Sequence, residues 1–199
     1  MGAADPVVDE PAELSPWSLR ARAIWLWGVG GTCALLVDAL YRLSGFTIEA
    51  IEMSLSPSQW ALMIGWCVVM AYAEGYRGFQ LRFSPRVVAR SRWLAGCGRP
   101  GLQLCAPLVA MGLMHATRRR LVATWVLILG IVGLVLLIRE LDQPWRGIVD
   151  AGVVVGLSWG LLATLWHAAR DLGGDVLKIS LDLPENEVEG SSSVESRRI

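Results

Sequence analysis

Residues 121–138 read LVATWVLILGIVGLVLLI, eighteen positions without a charge and without a polar face. At about 1.5 Å of rise per residue such a helix covers about 27 Å, close to the ~30 Å hydrocarbon thickness of a bilayer. An apolar helix of this kind has no side to offer to water, so the run predicts a membrane span. Outward from it, a short polar loop, Arg139 to Gly147, leads to a second apolar run over 148–169. Upstream lie two more, 60–76 and 23–41. The expected fold is all-α: an integral membrane bundle of four transmembrane helices, with about 17–170 as the membrane domain.

The composition agrees. Of the 199 residues 54% are hydrophobic and 18% charged, and the mean hydropathy is +0.47, outside the usual soluble range. Disorder, collagen and coiled coil are excluded for most of the chain. The N-terminal 1–16 carries Asp5, Asp9, Glu10 and Glu13 and no basic residue, unlike the start of a signal peptide, and is expected to be a disordered tail. The acidic stretch 171–199, ending EGSSSVESRRI, is expected to be mostly disordered as well.

Eighteen basic and eighteen acidic residues balance overall. Yet from Gly75 to Ile138 there are nine arginines and no Asp or Glu: Arg77, Arg82, Arg86, Arg90, Arg92, Arg99, Arg118, Arg119 and Arg120. Four crossings put fifteen of the eighteen basic residues on one side and only Arg42, Arg139 and Arg146 on the other. The positive-inside bias makes the first side the cytoplasm, with both termini there and the inner membrane as the location. Within the arginine region Ser84-Pro85 predicts a capped cationic helix over 85–95 that lies in the headgroup layer. Residues 101–116, with Pro107 inside, are too short and too flanked by arginine for a full crossing, so a re-entrant or interfacial segment broken near Pro107 is expected. The span 60–76 is taken to be capped by Ser58, and the stretch 44–59 to be turn-rich.

Guanidinium groups bind phosphate bidentately, so the nine arginines are candidates for anionic lipid headgroups; topology determination alone is the competing account. Nucleic acid is disfavoured, because aromatic platforms between the arginines are nearly lacking. Three carboxylates fall in apolar runs and are intramembrane candidates: Asp38, Glu74 and Asp150. Asp38 with Arg42, Asp150 with Arg146 and Glu74 with Arg77 can form local pairs, the first two near the outer interface and the third near the inner one. Gly30, Ala34 and Asp38 share one helix face, which predicts a carboxylate pointing into the bundle. The stripe Gly152, Gly156 and Gly160 predicts close packing, against the first span or a second copy of the chain.

Two histidines are present, His115 and His167. A haem held between them is a remote expectation, and otherwise no cofactor or metal is expected: the four cysteines form no CxxC pair, and HExxH and Walker A patterns are absent. Two functional classes stay open. One is a non-enzymatic membrane protein that contacts anionic lipid or a partner. The other is a membrane enzyme or carrier for a phosphate-bearing lipid that uses Glu74, His115 and His167.

The runs Glu74-Gly75-Tyr76-Arg77-Gly78-Phe79-Gln80, Phe83-Ser84-Pro85-Arg86-Val87-Val88-Ala89-Arg90, His115-Ala116-Thr117-Arg118-Arg119-Arg120 and Gln143-Pro144-Trp145-Arg146-Gly147 resemble those of small uncharacterised multi-pass inner-membrane proteins of proteobacteria. The resemblance covers residues 17–169. It implies a multi-pass membrane fold and carries neither an activity nor a catalytic residue.

Overall fold

Helix after helix makes up the computed structural model, which describes residues 18–114 and 118–175 and has no strand among them. The elements are α1 (Leu19–Glu52), α2 (Pro57–Met70), a π-helical segment (Ala71–Phe83), α3 (Ser84–Gly96), α4 (Pro100–Leu104), α5 (Ala106–Ala110), α6 (Arg118–Arg139) and α7 (Trp145–Leu172). The helices α1 and α7 are long and apolar enough to cross a membrane, and Thr124–Arg139 of α6 is a shorter apolar stretch. With fourteen residues, α2 is too short to do so on its own.

The stretch expected to be turn-rich is instead the last third of α1, which runs through Ser44 and Gly45 to Glu52. Ser44 and Thr47 donate their hydroxyls to the carbonyls of Tyr41 and Leu43, which satisfies them within the helix. Ala50 is fully buried there, and packing outweighs the weak local preference for a turn. The chain turns over 53–56, where Ser54 takes a positive φ of 57°.

Ser56, not Ser58, caps α2. Its hydroxyl accepts from the Gln59 N–H while the Gln59 side chain accepts from the Ser56 N–H, a capping box with Pro57 in the first turn. Ser56→Ala should cost about 1 kcal/mol in thermal unfolding measured in detergent.

From Pro57 to Gly96 the chain stays helical without interruption. Ser84 is therefore inside a helix rather than at its start; the Ser84 N–H reaches the Phe79 carbonyl, five residues back, and the hydroxyl turns to α7. The expected headgroup-layer helix is mostly buried, with eight of its thirteen residues covered. Val87, Val88 and Leu94 have no exposed surface, and Trp25 and Val29 of α1, Val88 of α3 and Ala168 of α7 form one cluster. The 101–116 region contributes α4 and α5, separated at Cys105, with Pro107 in the first turn of α5 packed on Gly31 of α1. Ala106 and Val109 are buried against Leu94.

α7 is the central element, packed on α1 along one side and on the 57–96 stretch along another. It runs antiparallel to α1, with Trp25 at Asp171 and Ala50 at Gly147. It runs parallel to the 57–96 stretch, with Trp66 at Gly152, Ser84 at Thr164 and Arg92 at Asp171.

Candidate functional site

The glycine stripe on α7 is filled from within the chain. Trp66 lies over Gly152, Glu74 over Gly156 and Phe79 over Gly160, and Trp159 presses in return on Gly75. Any side chain at Gly152 would collide with the Trp66 indole, whose Nε1–H donates to the Val149 carbonyl at 3.0 Å. The stripe's partner is thus the 57–83 stretch, neither the first helix nor a second copy: the close approach that glycine permits is already used.

Beside the stripe runs a line of polar contacts. Trp159 Nε1–H donates to Gln80 Oε1 at 2.7 Å, and His167 Nε2 lies 3.2 Å from the Gln80 carbonyl. Ser84 and Thr164 share a buried hydroxyl–hydroxyl bond of 2.9 Å, and Thr164 also donates to the Gly160 carbonyl. The His167 Nδ1 is buried without a hydrogen-bond partner among the described residues. An open groove lined by Gln80, Trp159, Leu162, Ala163 and Trp166 follows the same face.

The three carboxylates end up in different surroundings. Asp150 is buried and lies 3.9 Å from Arg146, whose guanidinium is stacked 3.5 Å from the Phe46 ring centroid. Gln143 closes this end of the bundle, donating to the Phe46 carbonyl and to Glu49 while accepting from the Gly147 N–H. Asp38 bonds Arg42 at 2.9 Å, but its side chain is 57% exposed, and Gly30 and Ala34 face outward with it. The packed face of α1 is Trp25, Gly28, Thr32 and Leu36, which overturns the expected inward stripe. Its depth differs too. Asp38 follows Trp25 by thirteen residues and Ser158 precedes Asp171 by thirteen, so the antiparallel register sets Asp38 halfway along α7 rather than at its outer end.

Glu74 lies at this same height, opposite Gly156, and makes no hydrogen bond or ion pair among the described residues. The expected pair with Arg77 is not formed. In a π-helical segment bonds run to the fifth residue, so positions three apart do not stack as they do in an α-helix.

The nine arginines do not form one surface. Arg77, Arg82, Arg99 and Arg118 are exposed and Arg86 is half-buried. Arg90 is 1% exposed and donates to the Val109 carbonyl at 3.4 Å, and Arg92 forms a 2.7 Å ion pair with Asp171. Arg90 is part of the core and Arg92 is largely covered, because α3 packs on α1, α5 and α7. The side chains of Arg119 and Arg120, and all of His115, lie outside the described residues, so the haem expectation concerns His167 alone here, whose Nε2 faces a carbonyl. Among the described residues no three His, Cys, Asp or Glu side chains gather as a metal site.

Sequence reasoning missed Asp171, assigned there to the disordered tail. It is 2% exposed and accepts from Trp25 Nε1–H at 3.0 Å as well as from Arg92, joining α1, α3 and α7. No local signal could reveal it, since Trp25 is 146 residues away. At the same end Arg20 donates to Gln103 Oε1, and Gln103 Nε2 donates to the carbonyls of Leu94 and Cys97. No protein-family model, curated protein or solved structure matches the chain.

Proposed function

We propose that the chain is a non-enzymatic multi-pass protein of the inner membrane, with four crossings and both termini cytoplasmic, that holds anionic lipid headgroups on its cytoplasmic-side arginines. One observation carries this reading: the surface is an apolar belt. Val122, Val126, Leu129, Leu134 and Leu137 of α6, with Leu62, Ile64 and Val68 of α2, are all more than half exposed. Water would face an α6 with no polar side, and so many exposed large apolar side chains belong to lipid or partner contact.

Exposed aromatic residues bracket the belt, Trp60 and Trp145 at one end and Tyr76, Trp159 and Trp125 toward the other, as expected of side chains with an apolar body and a polar tip at headgroup level. The eighteen steps from Trp145 to Ala163 rise about 27 Å, close to the ~30 Å hydrocarbon thickness. In this frame Arg82, two residues before Ser84 and its partner Thr164, reaches the inner boundary. Arg77 lies slightly deeper, and its long stem carries the guanidinium toward the headgroups. The first half of α1 with α3, α4 and α5 forms a protein-covered head on the cytoplasmic side, to which Arg90 and Arg92 belong. Arg77, Arg82 and Arg118, with which α6 begins, are then the headgroup-binding set.

The enzyme or carrier alternative needs Glu74, His115 and His167 in one cavity. Glu74 lies against Gly156, and His167 stands eleven residues further along α7, about 16 Å away. That separation favours the non-enzymatic reading.

The test is the double variant Arg77→Gln, Arg82→Gln, which keeps hydrogen-bonding capacity and removes charge. Each cation near an anionic leaflet contributes about 1 kcal/mol, roughly fivefold in affinity, so anionic lipid retained through purification and measured by mass spectrometry should fall sharply. Reporter fusions after Gly98 and Gln143 should give opposite signals in the same variant. An external signal at Gly98, or unchanged bound lipid with intact insertion, would sink the proposal.

A further inference from the structure

Three carboxylates lie within the apolar belt, and two are neutralised by a neighbour one helical turn away: Asp38 by Arg42 and Asp150 by Arg146. Glu74 is the third and makes neither an ion pair nor a hydrogen bond among the described residues. It is partly exposed and lies against Gly156, the middle glycine of the α7 stripe. A Cβ at Gly156 would sit 3.2 Å from the Glu74 Cβ and 3.8 Å from its carboxylate Oε2, with the Met70 carbonyl at 3.7 Å.

No element packed against the segment supplies a counter-charge. α2 has no ionisable side chain except that of Cys67; on α7 the nearest ionisable groups are Asp150 and His167, six and eleven residues from Gly156; on α3 the nearest is Arg86. On its own segment Arg77 and Arg82 are the cations, and the π-helical winding keeps Arg77 out of the stacked position. A lone charged carboxylate in hydrocarbon is costly, and the low-cost alternative is to bind a proton and become a neutral acid.

We propose that Glu74 is a reversible proton-binding site inside the apolar belt, a reading that rests on the membrane placement argued above. With its proton the carboxyl rests on the Gly156 backbone. Without it, the carboxylate is drawn along the segment toward Arg77 and the headgroups, so proton binding is linked to how the π-helical segment seats on α7.

The test uses the full chain in lipid nanodiscs and two carbodiimides. Dicyclohexylcarbodiimide is apolar and adds to a protonated carboxyl in a membrane; a water-soluble carbodiimide with an added amine modifies carboxylates reached from water. Peptide mass spectrometry should find the apolar reagent on Glu74 and not on Asp38 or Asp150. Labelling should fall about tenfold or more between pH 6 and pH 9, since the acid form is the one that reacts. In Glu74→Gln the adduct should vanish while the fold, followed by thermal unfolding, is retained. No adduct at Glu74, or equal modification by the water-soluble reagent, would overturn the proposal. Protection by sodium at fixed pH would overturn it in favour of a metal cation. Cysteine replacements at Leu62 and Leu129, probed with an aqueous thiol reagent, separate the two readings: labelling there would defeat the membrane placement itself, whereas protection there with Glu74 open to water would defeat only the proton site.

Discussion

Asp171→Ala should destabilise the chain by about 3–5 kcal/mol, because it removes a buried carboxylate that ion-pairs with the largely covered Arg92 guanidinium. The Asp171 side chain is 1% exposed and that of Arg92 13%, so water cannot take the place of the lost carboxylate. The same change strips the acceptor from the buried Trp25 Nε1–H, worth about a further 1 kcal/mol or more for an unsatisfied donor. Asp171→Asn should lose less, since an amide oxygen still accepts from Trp25. Denaturant unfolding in a mild detergent is the readout. A double-mutant cycle with Arg92→Met should give strong coupling, because the pair and not either member alone is what the site tolerates. A loss for Asp171→Ala within ~0.5 kcal/mol would mean that residue 171 belongs to a solvated tail after all.

Gly152→Val is the second large effect. Its branched side chain would enter the Trp66 indole and press on the Met70 side chain, and Trp66 could not move aside without surrendering its bond to the Val149 carbonyl. Overpacking of this kind costs about 1–3 kcal/mol, and the lost hydrogen bond about 1 more. Gly30→Val is the internal control. Nothing lies within 4 Å of the position its Cβ would occupy, so its stability should stay within ~0.5 kcal/mol of the parent. Thermal unfolding in detergent compares the two. If Gly30→Val were the more damaging, the packed face of α1 would be the Gly30, Ala34 and Asp38 face and the register described here would be wrong.

Helices are legible in this chain because their information is local. Apolar runs name them, and the i,i+4 pairs Asp38–Arg42 and Arg146–Asp150 form because four residues make about one turn, although the expected cap of α2, Ser58, lies two residues past the Ser56 that caps it. The stripe Gly152, Gly156 and Gly160 likewise announces a close neighbour from its spacing alone. The neighbour's identity is another matter, since Trp66, Glu74 and Phe79 carry no mark that pairs them with those glycines. Arginine spacing suggested one cationic surface, but the rotation of α3 against α1, α5 and α7 takes Arg90 into the core and pairs Arg92 with Asp171.

The sequence by itself determined that the chain is helical, where its apolar segments run and that Asp38 and Asp150 have partners one turn away. Only the tertiary structure decided depth and direction: that Asp38 and Glu74 share the height of the middle of α7, that Asp38 points outward, that Asp171 ties three helices together, and that Glu74 has no hydrogen-bond or ion-pair partner among the described residues. The physical reason is that helical period fixes which residues share a face, whereas the azimuth of that face and its offset along a neighbour follow from contacts between residues far apart in the chain, 146 positions in the case of Trp25 and Asp171.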